Sequence, residues 1–247
     1  MTGAITAERI KLMSTRSPYW CIGIVALMSI GIALAIGYAA NGSDVDTSIV
    51  VALLSGLSRF GVIVLMIMAV LAITSEHRFG TLKTSFLAVP QREKVLIAKA
   101  IVYGGLTVVV SLVLTLICLV IGSIAVSSGV DITSDETIRQ IWGIPVFALL
   151  CVLVGLGVGA IVRQTAGAIV IVLIWMLAVE TLLSVLPKIG PTLGPFMPFN
   201  NGYRFLDGDT PGGVDFHWNT AGSLIYFAII SIVVFIAGVV VTVRRDA

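Results

Sequence analysis

Two charged residues, Arg59 and Glu180, lie inside apolar segments that are long enough to cross a bilayer. A charge near mid-bilayer costs a few kcal/mol or more, so it normally pairs with an opposite charge, lines a wet cavity or meets a ligand. Both residues fall in the outer half of their segments. We therefore predict an intramembrane ion pair that fixes the packing of the two segments. The alternative is that Glu180 meets a cationic or polar substrate on a path that also includes Trp175.

The remaining sequence offers little catalytic chemistry. It contains no G-x-x-x-x-G-K-[ST] run for nucleotide phosphates, no G-x-S-x-G nucleophile motif and no H-E-x-x-H zinc motif. The two histidines, His77 and His217, lie in different loops, and the three cysteines lie in apolar runs without metal or disulfide spacing. We therefore expect no catalytic residue, no metal and no cofactor bound by this chain.

The composition places these residues in a membrane protein. Of the 247 residues, 58% are hydrophobic and only 11% are charged, with a mean hydropathy of +1.10. A soluble domain has about a quarter of its residues charged. The composition therefore excludes an ordinary soluble domain, a disordered chain and a nucleic-acid binder. The net charge of +2 is too small to indicate an anionic partner.

Six apolar segments are long enough to span a bilayer, because about 20 apolar residues are required. A bilayer cannot hydrogen-bond the backbone, so each segment must be a helix, and the fold class is an all-α integral membrane protein with one domain over residues 1–247. The third segment is too long for one straight span, so we expect interfacial first turns or a bend at Gly104. The fourth and fifth should form a tight hairpin. The predicted spans are approximately 19–40, 49–73, 95–126, 142–162, 166–186 and 220–243.

The basic residues predict the orientation, because loops rich in Lys and Arg stay in the cytoplasm. With both termini cytoplasmic, eleven of the 15 basic residues lie on the cytoplasmic side, while eight of the 13 acidic residues lie outside. We therefore predict a multi-pass plasma-membrane protein with six spans and cytoplasmic termini.

Three connecting regions have helical character of their own. Residues 4–16 suit an interfacial helix before the first span. Residues 75–90, here called the coupling segment, place Phe79, Leu82 and Phe86 within an arc of about 60° when 75–87 is wound as one helix. Such a helix either rests in lipid headgroups or docks in a groove of a protein partner. Residues 187–219, here called the broken segment, carry five of the eight prolines and should form short interrupted helices on the outer side, either as a packed lid or in contact with substrate.

The coupling segment also carries a family resemblance. Its run from Ser75-Glu76 through Arg78, Gly80-Thr81 and Thr84, followed by Pro90, Arg92 and a late Lys99, resembles the signature of type-2 ABC exporter permeases, the transmembrane subunits of bacterial ABC transporters. The six-span layout with a broken segment before the last span is similar as well.

The resemblance implies an ATP-driven exporter in which this chain supplies the substrate path. A helix in the coupling segment would dock in a separate ABC ATPase, expected in two copies, which would bind ATP and Mg²⁺. A second permease, identical or related, would complete the assembly. The residues that the resemblance assigns to ATPase coupling are Glu76, Arg78, Phe79, Thr81, Leu82, Lys83 and Phe86.

Substrate identity and the choice between identical and different permease partners stay open at this point. The alternative function is an ATP-independent membrane scaffold or immunity protein that binds a target. An ATPase associated with the chain would discriminate between the two.

Overall fold

A computed structural model describes residues 2–40, 47–80, 92–125, 134–187, 190–208 and 216–245. The described residues form helices joined by short connections, with no strand among them. The α-helices are α1 Thr2–Ser14, α2 Ser17–Ala39, α3 Thr47–Ser55, α4 Val62–Arg78, α5 Arg92–Ala125, α6 Asp135–Val162, α7 Thr165–Leu173, α8 Glu180–Val185, α9 Gly190–Leu193, α10 Pro198–Asp207 and α11 Thr220–Arg245. Two π-helical stretches, Gly56–Gly61 and Ile174–Val179, lie between α3 and α4 and between α7 and α8, and a 3-10 turn at Gly194–Phe196 precedes α10.

Among the residues that the structure describes, six helices are long and apolar enough to cross a membrane, which confirms the predicted all-α membrane fold. We call them spans 1 to 6: Ser17–Ala39, Ile49–Arg78, Glu93–Ala125, Asp135–Val162, Thr165–Val185 and Thr220–Arg244. Span 4 begins seven residues earlier than its apolar core suggested, and span 3 is helical through Gly104. The tight hairpin between spans 4 and 5 is confirmed. Arg163 makes its turn with a φ of 60°.

The chain divides into two compact units. Unit 1 comprises Met1–Met68 and Lys94–Val152. In it, span 2 approaches span 1 closely at Gly56, where an added Cβ would lie 2.8 Å from the carbonyl oxygen of Met28. A side chain at that position would force the two helices apart, so the glycine permits the contact.

Unit 2 comprises Ala69–Glu93 and Leu153–Ala247. Spans 4 and 6 touch here through backbone, because a Cβ on Gly157 would lie 2.6 Å from the carbonyl oxygen of Val234. Gly157 therefore packs against span 6 within the chain. The broken segment forms α9, the 3-10 turn and α10, which confirms the prediction of short interrupted helices.

The predicted single helix over residues 75–87 is wrong at its beginning. Span 2 continues through Ser75 to Arg78, and the chain then turns at Phe79 and Gly80. Gly80 has a φ of +68°, a conformation that ends helices and that glycine adopts without steric cost. The single helix on which the predicted arc of Phe79, Leu82 and Phe86 depends is therefore interrupted at Gly80. Leu82 and Phe86 lie outside the described residues, together with Thr81 and Lys83.

Candidate functional site

Glu180 is a buried charge in span 5, within unit 2. Its side chain is 1% exposed. Its Oε1 accepts hydrogen bonds from the indole nitrogen of Trp175 at 3.0 Å and the backbone nitrogen of Phe199 at 3.1 Å, and its Oε2 accepts one from the backbone nitrogen of Asn200 at 2.8 Å. Phe199 and Asn200 lie in the first turn of α10. The carboxylate thus caps the N-terminus of a helix that begins 18 residues later in the sequence. The first backbone N–H groups of a helix lack intrahelical partners, and the helix dipole favours a negative charge beside them.

Further polar contacts fix α10 to the spans on either side. The Asn200 amide donates to the Ser184 hydroxyl at 2.7 Å, one turn beyond Glu180 in span 5. Arg204 donates to the carbonyl oxygen of Trp218 at 2.7 Å and to the hydroxyl of Ser223, at the beginning of span 6. The Trp218 indole in turn donates to the side-chain oxygen of Asn201 at 3.0 Å. The helix is therefore tied to span 5 by its first turn and to span 6 by its later residues.

An apolar pocket of about 240 Å³ lies next to the Glu180 contacts, within unit 2. Side chains from spans 4, 5 and 6 and the first two residues of α10 line it. Trp175 and Phe199 both contribute, and both donate to Glu180. The carboxylate therefore positions two walls of the pocket. Representative lining residues are Val154, Val158, Val172, Trp175, Phe199 and Ile230.

A second buried carboxylate lies in unit 1. Glu8 of α1 is 2% exposed and accepts a hydrogen bond from the Lys99 ammonium of span 3 at 2.5 Å and from Lys11 at 2.8 Å. The Lys99 ammonium also lies 5.6 Å from the ring centroid of Tyr103. This ion pair joins α1 to the first turns of span 3.

The pH dependence of stability should report the Glu8 contacts. Burial acts to raise the pKa of Glu8, but the charge of Lys99 and the hydrogen bonds from Lys11 and Lys99 outweigh it, so the pKa lies below its ordinary 4.5. A carboxyl with a lowered folded-state pKa contributes stability that is present above its unfolded pKa and is lost as pH falls through the folded value. We expect the wild-type chain to lose more stability than Glu8→Gln as pH falls below 4.5.

Thermal unfolding of both proteins in detergent over that acidic range measures this difference. One titrating carboxyl can change the free energy of unfolding by at most about 1.4 kcal/mol per pH unit. Parallel pH profiles for wild type and Glu8→Gln would contradict it.

The residues that the family resemblance assigned to ATPase coupling are only partly described. Glu76 is buried, whereas Arg78 is exposed, with its guanidinium carbon 5.7 Å from the ring centroid of Phe79. Phe79 is 73% exposed. Within the coupling segment, Glu76 therefore packs at the end of span 2, whereas Arg78 and Phe79 are exposed where the helix ends.

The predicted ion pair between Arg59 and Glu180 stays a prediction. Arg59 is exposed in the π-helical stretch of span 2, and the hydrogen-bond donors described above for Glu180 all lie in unit 2. The Trp175 indole donates to Glu180, so the two residues of the alternative substrate path lie side by side. Trp175 is 44% exposed.

The end of span 2 is joined to the hairpin between spans 4 and 5. The Thr165 hydroxyl donates to the Thr74 hydroxyl at 3.0 Å. A Cβ added to Gly159 would lie 2.5 Å from a methyl group of Ile73, so the helices meet without space for a larger residue. We call these four residues the span 2 junction. Its residue Thr74 directly precedes the coupling segment and lies four residues before the exposed Arg78.

Sequence reasoning did not find two features of the site. The cap of α10 by Glu180 had one signal, since Pro198 is typical of the first position of a helix whose N–H groups need an acceptor. The contact of Glu8 with Lys99 spans 91 residues. Its only signal was an isolated acidic residue in a basic N-terminal segment.

One known protein family matches the chain. The model of a family described as ABC-2 family transporter protein matches residues 4–179, well over half of the chain. The matched range includes spans 1 to 4, the coupling segment and most of span 5. No curated protein matches the chain.

Proposed function

Because the chain belongs to the ABC-2 family of transporter proteins, we propose that it is the permease of an exporter whose ATPase is a separate polypeptide. Membership makes it a multi-pass membrane permease component of an ABC transporter, which is a transport subunit and not itself a catalyst. ABC-2 membrane subunits normally pair with an ATPase subunit. The absence of a nucleotide-phosphate motif in the full sequence supports the assignment of hydrolysis to that partner.

The span 2 junction supports the coupling role of residues 75–90. A force applied to the exposed Arg78 and Phe79 reaches Thr74 within about one helical turn. Thr74 contacts Thr165 directly, and Gly159 packs against Ile73. Movement of the coupling segment would therefore displace the hairpin of spans 4 and 5 together with the end of span 2. Such a contiguous contact is what transmission between a soluble ATPase and membrane helices requires.

The complete proposal has two ATPase chains that bind ATP and Mg²⁺, and two permeases, identical or related. It places the assembly in a bacterial plasma membrane, with both termini and the coupling segment in the cytoplasm. The excess of basic residues on that side supports the orientation. The cargo is not assigned.

Co-purification with the ATPase tests the proposal. Phe79 is exposed and apolar, and the resemblance assigns both Phe79 and Phe86 to ATPase coupling, so replacing both with aspartate should prevent docking. We expect at least a tenfold lower recovery of ATPase activity with the purified double variant, equivalent to about 1.4 kcal/mol of binding free energy. Activity and mass spectrometry of the tagged full chain, purified in mild detergent, measure it.

Ile138→Asp is the matched control, because Ile138 is also a large exposed apolar residue, on the opposite predicted side of the membrane. It should retain the ATPase. Equal recovery with Phe79→Asp/Phe86→Asp would overturn the docking surface. Failure of any P-loop ATPase to accompany the wild-type chain would favour an ATP-independent scaffold or immunity protein instead.

A further inference from the structure

The pocket in unit 2 has the properties of a site for hydrocarbon. Its lining residues are apolar, and the one indole N–H among them, that of Trp175, already donates to Glu180. A bound water needs two to four polar partners, so water gains nothing there. The same argument excludes a polar or charged ligand.

The size and position of the pocket indicate which hydrocarbon it takes. An apolar cavity of about 150 Å³ accepts benzene, and this pocket measures about 240 Å³, enough for part of an unbranched chain. Ile171 and Trp175, which line it, are 49% and 44% exposed on a membrane-spanning helix. An occupant can therefore enter from the bilayer without crossing water.

The walls are fixed in a way that keeps the pocket open. The Trp175 indole and the Phe199 backbone nitrogen both donate to the same oxygen of Glu180, which holds the Trp175 ring and the Phe199 backbone in place. The Phe199 ring packs against the ring of Phe227, which also lines the pocket, with the centroids 5.5 Å apart. An unfilled pocket forfeits the dispersion contacts of its lining. A lipid chain restores those contacts, and it moves only from one apolar environment to another.

We propose that this pocket binds an acyl chain of a bilayer lipid, between spans 4, 5 and 6 and beneath the first turn of α10. The site is internal to one permease chain and does not depend on transport or on an ATPase. Glu180 acts as a positioning residue that holds the Trp175 indole and the backbone at Phe199.

Photolabelling by lipid tests the site. The full chain is reconstituted in phosphatidylcholine vesicles that contain a phosphatidylcholine with a diazirine on one acyl chain, irradiated, and mapped by mass spectrometry. Val154, Val172 and Phe199 are only 8%, 3% and 3% exposed, so lipid around the protein cannot reach them from outside. We expect label on these three lining residues as well as on Ile229 and Ile236, which are exposed on span 6.

A pocket-filling variant completes the design. Val158→Phe should reduce labelling of Val154, Val172 and Phe199 at least fivefold, while labelling of Ile229 and Ile236 is unchanged. Val158→Ile, which adds one carbon, should retain most of the pocket label. Label confined to exposed residues of the wild-type chain would overturn the proposal, and so would equal labelling of the three lining residues in Val158→Phe. The wild-type map alone decides the matter if the variant does not fold.

Discussion

Replacing Glu180 with alanine should lower the melting temperature of the purified chain by about 10 °C, the shift expected for roughly 3 kcal/mol in a domain of this size. The change leaves the N–H groups of Trp175, Phe199 and Asn200 without their acceptor, and leaving a buried donor unsatisfied costs about 1–3 kcal/mol. It also removes the negative charge from the N-terminus of α10. A thiol-reactive dye measures the transition, because Cys118 and Cys151 are buried and neither is in a disulfide.

Two controls make the result specific to the cap. Thr181→Ala alters the exposed neighbour of Glu180 in the same helix and should leave the melting temperature unchanged. Glu180→Gln retains one carbonyl acceptor and should give an intermediate shift. If Glu180→Ala had the same melting temperature as Thr181→Ala, the cap would contribute no stability. If Glu180→Gln assembled normally but abolished transport, the alternative in which Glu180 meets substrate would be preferred.

The second large effect is expected at Glu8. Glu8→Ala removes the carboxylate from a buried ammonium, and breaking such a pair from one side costs about 3–5 kcal/mol. Lys99→Met should cost less, since Glu8 keeps its contact with the more exposed Lys11. The double variant Glu8→Ala/Lys99→Met should recover part of the loss, because no buried charge of the pair remains. Denaturant or thermal unfolding of the three variants gives the coupling free energy.

Lys11→Met provides the comparison for a surface charge. The Lys11 side chain is 39% exposed, so its loss should cost no more than about 1 kcal/mol. Equal effects of Lys11→Met and Glu8→Ala would contradict the importance of the buried pair. The buried pair would also be contradicted if the losses of unfolding free energy in Glu8→Ala and Lys99→Met simply added in the double variant.

The spans could be predicted from the sequence because the requirement for 20 apolar residues is local. The hairpin between spans 4 and 5 followed for the same reason, since only Arg163 and Gln164 separate two apolar runs. The broken segment was recognisable from its prolines, which interrupt helices wherever they occur. In each case the information lies within a few neighbouring residues.

The contacts of Glu180 and Glu8 could not be predicted in the same way, because each joins elements that are distant in sequence. Helical periodicity indicates which side a residue faces, but not which donor it meets 19 or 91 residues away. The wrong boundary at the coupling segment had a different cause. Apolar periodicity over residues 75–87 predicts one continuous helix, but Gly80 adopts a positive φ and ends the helix of span 2.

The two π-helical stretches have a consequence for how these spans tolerate change in length. Each accommodates one residue more than an α-helical turn would, and one of them ends immediately before Glu180. Deleting a single residue from Ile174–Val179 would remove the extra residue and restore regular α-helical winding, so Glu180 would keep its orientation relative to α7. Deleting a residue from α7, which is already regular, would instead rotate everything after it by about 100° and turn the Glu180 carboxylate away from α10. A one-residue deletion should therefore be far less damaging in the π-helical stretch than in α7.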